Sequence, residues 1–476
     1  MRGAVELEGA AVSLTSAGGR FADLFGVGDG DGLSLRLVFA LDGEGRYVEV
    51  EAPLRGTEYA DLSKAIPAAF LEQCELFERH GVRPVGAPLN RVLMPPHATG
   101  DAGWSEAAVA ADSRAREPHH VRGDAFEFPF GPVRVAGWET LYMGLVTTGE
   151  EVLDLYLFHW HKHRGVERRL VGLEPERALF LVERLEGLSA VANGLAFCRA
   201  VEAAGGIPVP EGAAASRAVA VELERVYNHA AAIAALCQTT GLSVGQAQAE
   251  IALERLLRLN LEAFGHRYLF GSLALGGVCR APDGEAIRRE LPAGCDELRR
   301  VVAALLATNS HVDRLEACGI VDAEAAKRLG LVGPVARASG CDIDTRRDHP
   351  FPPYDDVVPL VPVRTAGDAY ARMQVFVEEI DESQRIVEEL LDRCGEGSGV
   401  DEGRAGAALG WAESPRGETL AWVELDESGQ IREVRLRPAA VRNWRAFDDA
   451  ARARNVFTDI PIIEASFWQT VAGFAR

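Results

Sequence analysis

Three histidines alternate in one short run: His159, His161 and His163. Alternate residues of a β-strand share a face, so a strand here would present three imidazoles together, an arrangement suited to zinc. No Asp or Glu motif accompanies them to complete a metal site. A second dense group follows at Asp342, Asp344, Arg346, Arg347, Asp348 and His349. Acids and bases packed this closely make a buried ion-pair network or the wall of a polar cavity, and in a cavity wall they can pass protons. His229 stands alone on a helical pattern and reads as a hydrogen-bonded core or interface residue. Ser189 has no G-x-S-x-G around it and no histidine at hydrolase-like spacing, so nucleophilic catalysis has no support. The eight cysteines are Cys74, Cys198, Cys237, Cys279, Cys295, Cys318, Cys341 and Cys394, and the nearest two are 16 residues apart. Without a CxxC pair, the usual zinc and iron–sulfur spacings are missing. The expectation is eight reduced, mostly buried thiols and no cluster held by this chain.

The chain has 476 residues, 47% of them apolar and 25% charged, which is typical of a soluble globular protein of two or three domains. A net charge of −21 repels phosphate backbones and anionic lipid, so nucleic acid and direct membrane docking are disfavoured. No run of about 18 uncharged apolar residues predicts a spanning helix. The start, MRGAVELEGA, lacks the apolar centre of a signal peptide. The expected location is the cytoplasmic side of the cell membrane, peripheral and held there through partners. No glycine-rich dinucleotide turn follows a strand, so nothing suggests NADH binding.

The elements that must position these groups are of mixed type. LSLRLVFAL and RYVEVEAPL alternate as strands, and IPAAFLEQCELFERHG is the one helical stretch expected before residue 95, ending at Gly81. Pro95 to Asp124 has no sustained periodicity and reads as a linker. From Phe126 the chain alternates like a β-meander with a turn at Gly149. Long helices are then expected over 175–206, 215–241, 244–271 and 370–395, with Ala-rich faces suited to close packing. ETLAWVELD and IREVRLRPA form an antiparallel pair. The predicted fold class is α+β: a small N-terminal α/β domain fused to a mainly helical domain with peripheral antiparallel strands. The predicted domains are residues 1–122, which include the linker, and 123–476.

Five ordered blocks are more specific. RASGCDIDTRRDHPFPPYD (337–355), ELERVYNHAAAIAALCQTTG (222–241), HKHRGVERRL (161–170), GWAESPRGET (410–419) and the tail RNVFTDIPIIEASFWQTVAGFAR run in sequence from about residue 126 to the end. Their order and spacing resemble those of the large subunits of group 4 nickel–iron hydrogenases, of the hydrogenase-4 and formate hydrogenlyase type. They also resemble the 49-kDa, or D-type, relatives in complex I. The stretch YADLSKAIPAAFLEQCELFERHGVRPVG resembles, more weakly, the 30-kDa (C-type) domain fused to some of them.

The resemblance implies four cysteines at the metal site, and this chain lacks them. The R-x-C-G-x-C positions fall on Glu186 and Ser189, and the D-P-C-x-x-C positions on Thr470 and Gly473. A low-valent nickel centre needs soft thiolates, which a carboxylate and two hydroxyls do not replace. No metal is therefore expected, and no hydrogenase activity. In the complex I branch, the same cavity takes a quinone headgroup. Its tyrosine ligand aligns with Gly187, and its histidines align with Arg134 and, less closely, Trp138. Neither quinone ligand is evident, although Arg134 has a donor for a headgroup carbonyl. Glu167 falls where the family carries a proton-relay glutamate; otherwise it is an acid at a helix N-terminus. Arg416 falls where the family's arginine points into the cavity; otherwise it is a turn arginine beside Gly417. Asp342, Asp344 and Arg347 are candidate relay or cavity residues.

The implied function is that of a subunit in a membrane-bound, complex I-like oxidoreductase, similar to the D-type subunit of NADH-quinone oxidoreductase. Electrons would come from a 4Fe–4S cluster in a small partner protein and reach a quinone or another acceptor. Their transfer would drive ion translocation in membrane subunits. The alternative is a catalytically silent scaffold, whose cavity would be filled by Leu188, Phe467 and Trp468. A soluble metalloenzyme built on HxHxH is a third reading.

Overall fold

The structure is a computed structural model that describes residues 2–28, 32–87, 123–134, 139–397, 404–452 and 454–476, without the side chains of 2–6. Trp138 and nearly all of the expected linker lie outside the described residues. The chain forms two compact units, one of residues 1–164 with 327–330 and 475, the other of 165–326, 331–474 and 476. The fold is α+β, as its strand and helix patterns predicted.

The first unit opens with a helix that the sequence patterns did not predict, α1 (Arg2–Ser16). Its apolar stripe is narrow: Leu7 and Ala11, one turn apart, enter the core with Leu14 packed beside them. Strands β1 (Arg20–Val27), β2 (Ser34–Leu41) and β3 (Arg46–Pro53) make an antiparallel sheet in that order. Strand β1 escaped notice because a bulge between Phe21 and Asp23 shifts its register and breaks the alternation. Short strands β4 (Glu58–Ala60) and β5 (Arg83–Val85) pair in parallel around helix α2 (Phe70–His80). Gly81 ends α2 with φ 70°, a conformation that glycine adopts without penalty. Phe21, Leu24, Leu35, Leu37, Phe39 and Leu76 form the core. The predicted meander is β6 (Phe126–Phe130), β7 (Tyr142–Thr147) and β8 (Val152–Phe158), with Gly149 between the last two.

In the second unit, the single helix predicted over 175–206 is two: α3 (Pro175–Val182) and α4 (Ala190–Gly205). The intervening segment turns out of helical geometry. Helix α5 (Glu211–Thr239) begins just after Pro210, whose fixed φ suits a helix start. Next come α6 (Ser243–Phe264) and α7 (Gly284–Leu306). The sequence patterns did not predict α7, where Pro292 sits inside the helix and reads as a break. Two short helices, α8 (Gly333–Ala338) and α9 (Thr345–Asp348), precede the long α10 (Ala369–Leu390). Helix α5 packs on α6 and α10, and α6 packs on α7. Alanines on α5 such as Ala230, Ala232 and Ala234 are buried and allow close approach.

Three antiparallel strands follow: β9 (Gly406–Ser414), β10 (Gly417–Leu425) and β11 (Ile431–Arg437). The sequence predicted the last pair; β9 adds the third strand. Helix α4 lies across β9 and β10. At Gly410, a Cβ would come within 2.1 Å of the Ala196 carbonyl oxygen, so the helix approaches that closely only over glycine. Helices α11 (Ala439–Asn443) and α12 (Ile460–Phe467) close the unit.

Candidate functional site

The four positions that the resemblance aligns with ligand cysteines meet in the second unit. In the break between α3 and α4, Arg184 and Gly187 face outward, whereas Leu185, Glu186 and Ser189 are buried. Thr470 Oγ1 donates to Glu186 Oε1 at 2.8 Å, and Asn193 Nδ2 lies 3.5 Å from Glu186 Oε2. Gly473 also belongs here: a Cβ built on it would sit 2.8 Å from Glu186 Oε1. Thr470 and Gly473 reach this spot because α12 ends at Trp468 with φ 53°, a conformation rare for a bulky residue.

Arg416 joins the group from the hairpin tip. Ser414 pairs with Gly417, which leaves Pro415 and Arg416 as the two-residue turn. Gly417 takes φ 123°, and Gly333 at the start of α8 packs so tightly that its Cβ would meet the Arg416 carbonyl oxygen at 2.2 Å. The guanidinium is fully buried. It donates to Ser189 Oγ at 2.6 Å, to the Trp468 carbonyl at 2.6 Å and to Asn228 Oδ1 at 3.4 Å. The Trp468 indole donates to the same Asn228 oxygen at 3.2 Å. The acceptors on this cation are thus neutral oxygens. Burial lowers its pKa, while the charges of Glu186, Tyr227 and Glu224 oppose the shift.

Glu224 is a residue of this site that the sequence patterns did not single out. The ELERVYNHAAAIAALCQTTG block contains it, but nothing in the block separates Glu224 from Glu222. Its carboxylate accepts from the Val191 and Ala192 amides at 2.8 and 3.0 Å and so caps α4 across the fold. Burial pushes Glu224 up to about 8 against those amides and Arg416. A carboxyl raised in this way is protonated in the folded chain while ionised in the unfolded one. Stability therefore falls as pH rises from about 4.5 towards about 8. Denaturation of wild type at pH 6 and 7 should show a loss of about 1 kcal/mol, and Glu224→Gln should flatten that slope.

One helical turn away, a second buried set surrounds α5. Arg346 holds Glu222 with Nη1 at 3.0 and 2.9 Å and Asp344 with Nε and Nη2 at 3.0 and 2.7 Å. Tyr354 and Ser383 donate to Glu222 at 2.5 and 2.6 Å. Arg337 bonds Glu379 Oε1 with Nε at 2.9 Å and Glu413 Oε1 with Nη1 at 2.9 Å. His229 Nε2 lies 2.8 Å from Glu379 Oε2. Burial would raise Glu222, but Arg346 and Arg225 outweigh it and hold the carboxyl at about 2. Arg337 and His229 do the same for Glu379, also at about 2.

The structure thus divides the 342–349 cluster. Asp344 and Arg346 enter the buried set. Asp342 and Arg347 instead pair with each other at 2.6 Å on the surface, with Arg347 also on Asp348. Glu167 lies in a short helical turn, Val166–Leu170, and accepts from the Leu436 amide at 2.8 Å. Arg476 connects it to the ligand-position cluster: Nε is 3.3 Å from Glu167 Oε1, and Nη1 donates to the Gly473 carbonyl at 3.2 Å. Gly187 is exposed, with Phe270 nearest to where a Cβ would be. Arg134 belongs to the first unit, where its guanidinium sits over Phe130. The strand geometry imagined for the three histidines does not form. Strand β8 stops at Phe158, and His159, His161 and His163 follow in a turn and irregular chain. Among the described residues, no three His, Cys, Asp or Glu side chains are placed to hold a metal.

The donor set argues against a nickel–iron centre on chemical grounds. Glu186 and Thr470 are hard oxygen donors already bonded to each other, and Ser189 accepts from a guanidinium.

Comparison with known proteins places this geometry. The model of the respiratory-chain NADH dehydrogenase 49-kDa subunit matches residues 250–406. A D-type subunit of NADH-quinone oxidoreductase from Salinispora tropica is 33% identical over 305 residues, which cover 62% of this chain and 76% of that one. The chain belongs to the complex I 49-kDa subunit family. Within it, formate hydrogenlyase subunit 5 of Escherichia coli (strain K12) is 29% identical over 439 residues, 88% of this chain and 77% of that protein. Hydrogenase-4 component G of the same organism is 28% identical over 436 residues, 86% and 74% of the two chains. A chain of an archaeal respiratory membrane complex, the membrane-bound sulfane sulfur reductase, shares the fold with TM-score 0.67 and 24% identity. That match covers 74% of this chain and 99% of the archaeal one. No described helix of this 49-kDa family member is long and apolar enough to cross a membrane.

Proposed function

We propose that this chain is the large peripheral subunit of a membrane-bound, complex I-like oxidoreductase and works there without a nickel–iron centre. Its relatives are subunits of hydrogenases and NADH-quinone oxidoreductases, matched over most of this chain. The observation that carries the second half is the bonding among the former ligand positions. Glu186 with Thr470, and Ser189 with Arg416, tie these positions into a hydrogen-bonded cluster of oxygen donors, which supports that reading. In this reading, a small partner protein with a 4Fe–4S cluster delivers electrons on the cytoplasmic side, and a quinone-class acceptor receives them. Membrane subunits use the resulting charge shift for ion translocation. Asp344, through Arg346 and Glu222, and Glu167, through Arg476, are the groups of this chain linked to its buried charges, and they carry protons or transmit the shift.

A second reading has its own support. Trp468 is buried with Phe376 and Ala232, Leu188 packs against them, and Phe467 is buried as well. Filling of this kind favours a silent scaffold that keeps the complex assembled and transmits conformational change.

Purifying the whole complex from membranes through a tag on this chain tests both readings. The expected result is iron without nickel, together with inhibitor-sensitive quinone reduction and no hydrogen turnover. Iron with neither activity would favour the scaffold. Stoichiometric nickel with hydrogen turnover would overturn the proposal.

A further inference from the structure

The buried set around α5 does not balance. Its acids are Glu222, Asp344, Glu379 and Glu413, and its permanent cations are Arg225, Arg337 and Arg346. All seven side chains are at most 2% exposed. Arg225 reaches Glu222 Oε2 at 3.2 Å and Glu379 Oε2 at 3.6 Å, and its remaining nitrogens bond the Ser414 and Glu413 carbonyls. Four carboxylates against three guanidiniums leave one negative charge buried from solvent, which is costly. One proton removes it.

Two places can hold that proton, His229 and an acid. His229 packs its ring on Phe376, with centroids 4.9 Å apart, and its buried Nδ1 has no hydrogen-bond partner among the described residues. A second N–H there would be a buried donor without an acceptor, so the neutral ring donating from Nε2 to Glu379 fits better. Burial lowers the His229 pKa despite the Glu379 bond, which agrees.

Among the acids, Glu222 and Glu379 each receive several donors. Asp344 is likewise held by Arg346 through Nε and Nη2, whereas Glu413 has one charged donor, Arg337 Nη1 at 2.9 Å, which also lies 3.4 Å from Asp344 Oδ2. Glu413 otherwise accepts only the Thr345 amide, at 3.2 Å. Its cross-strand neighbour on β10, Glu418, is held by Arg442 of α11. Arg199 of α4, which also lies against β9, bonds the Trp411 carbonyl and stacks on Phe351 and Trp411. Neither group neutralises Glu413.

We propose that Glu413 holds one proton at neutral pH beside the ionised Asp344, and that this pair is the proton-loading site of the chain. Burial and the neighbouring Asp344 charge both raise the Glu413 pKa, in line with the geometry. Strand β9 carries the pair's state to the hairpin tip, since Glu413 lies three residues before Arg416 and Arg225 clamps the carbonyls between them. A charge appearing near Arg416 would then draw the proton on or off. The charge count itself does not depend on the function proposed above, so the activity of the complex and the proton can fail separately.

Infrared spectroscopy of the full-length chain tests this, with exchange into heavy water and isotope-labelled glutamate. Because Glu224 is itself protonated at neutral pH, the measurement is made in a Glu224→Gln background. The expected result there is a carboxylic-acid band at neutral pH that shifts with the label and disappears when Glu413→Gln is added, which keeps the volume and the neutral state. In a second variant, Glu379→Gln, three acids face three arginines. The proton should leave although Glu413 remains, and the same band should vanish. A band untouched by Glu413→Gln, or no buried acid band together with a histidinium signal from His229, would overturn the proposal.

Discussion

Arg346→Met is expected to cost about 3–5 kcal/mol of unfolding free energy, whereas Arg347→Met next to it should change stability by no more than about 0.5 kcal/mol. The two residues are adjacent and chemically identical, and the fold treats them oppositely. Arg346 makes four bonds to Glu222 and Asp344, all of them out of water. Removing it leaves four buried acids facing two arginines, and the uncompensated carboxylates must protonate or admit water. Arg347 pairs at the surface, with Asp342 largely exposed, where an ion pair adds little beyond the hydration it displaces. Chemical denaturation of both variants reads the difference directly. Equal losses would mean that Arg346 is not the buried centre described here. Because α5, α9, α10 and β9 all contribute to this set, the loss should appear as a lowered midpoint of one cooperative transition rather than as local fraying.

Arg416→Met is expected to be the other severe change, at about 2–4 kcal/mol, from the buried acceptors left without donors. Ser189 Oγ and the Trp468 carbonyl lose their bonds, and Glu186 loses the cation that offsets it. Arg416→Lys should recover little of this. An ammonium is a compact point charge and cannot reach three acceptors placed around a planar fork. Stability by denaturation and co-purification of the partner proteins report the two consequences separately. If Arg416→Met keeps its stability while the complex loses electron transfer, the arginine serves the acceptor directly. If stability falls and Arg416→Lys restores it, a simple cation requirement replaces the fork argument.

Much of this protein is legible in its residues and their order. The five ordered blocks point to the family, and helices α5 and α10 lie close to where apolar periodicity puts them. Local patterns mislead where a neighbouring element overrides them. The run over 175–206 has helical periodicity throughout, yet the chain breaks at 183–189, where Glu224 of α5 takes the Val191 and Ala192 amides and starts a new helix. Helix α7 is hidden by Pro292, and β1 by a bulge. The HxHxH spacing implies a shared face only if the strand continues through His163, and β8 ends at Phe158, before the first of the three.

The residue types alone decided that no thiolate stands at the four positions that the resemblance aligns with ligand cysteines, because side-chain chemistry is a property of the chain itself. They also supplied four acids and three arginines, whatever their arrangement. Only the tertiary structure decided that Glu186, Ser189, Thr470 and Gly473 close on one another with Arg416 among them. The fold alone also separated Arg346 from Arg347 and matched Glu413 with Asp344. Ionisation and bonding depend on which groups exclude water from each other. In this chain those groups lie as far apart as 284 residues, in the Glu186–Thr470 bond. No local pattern carries that information.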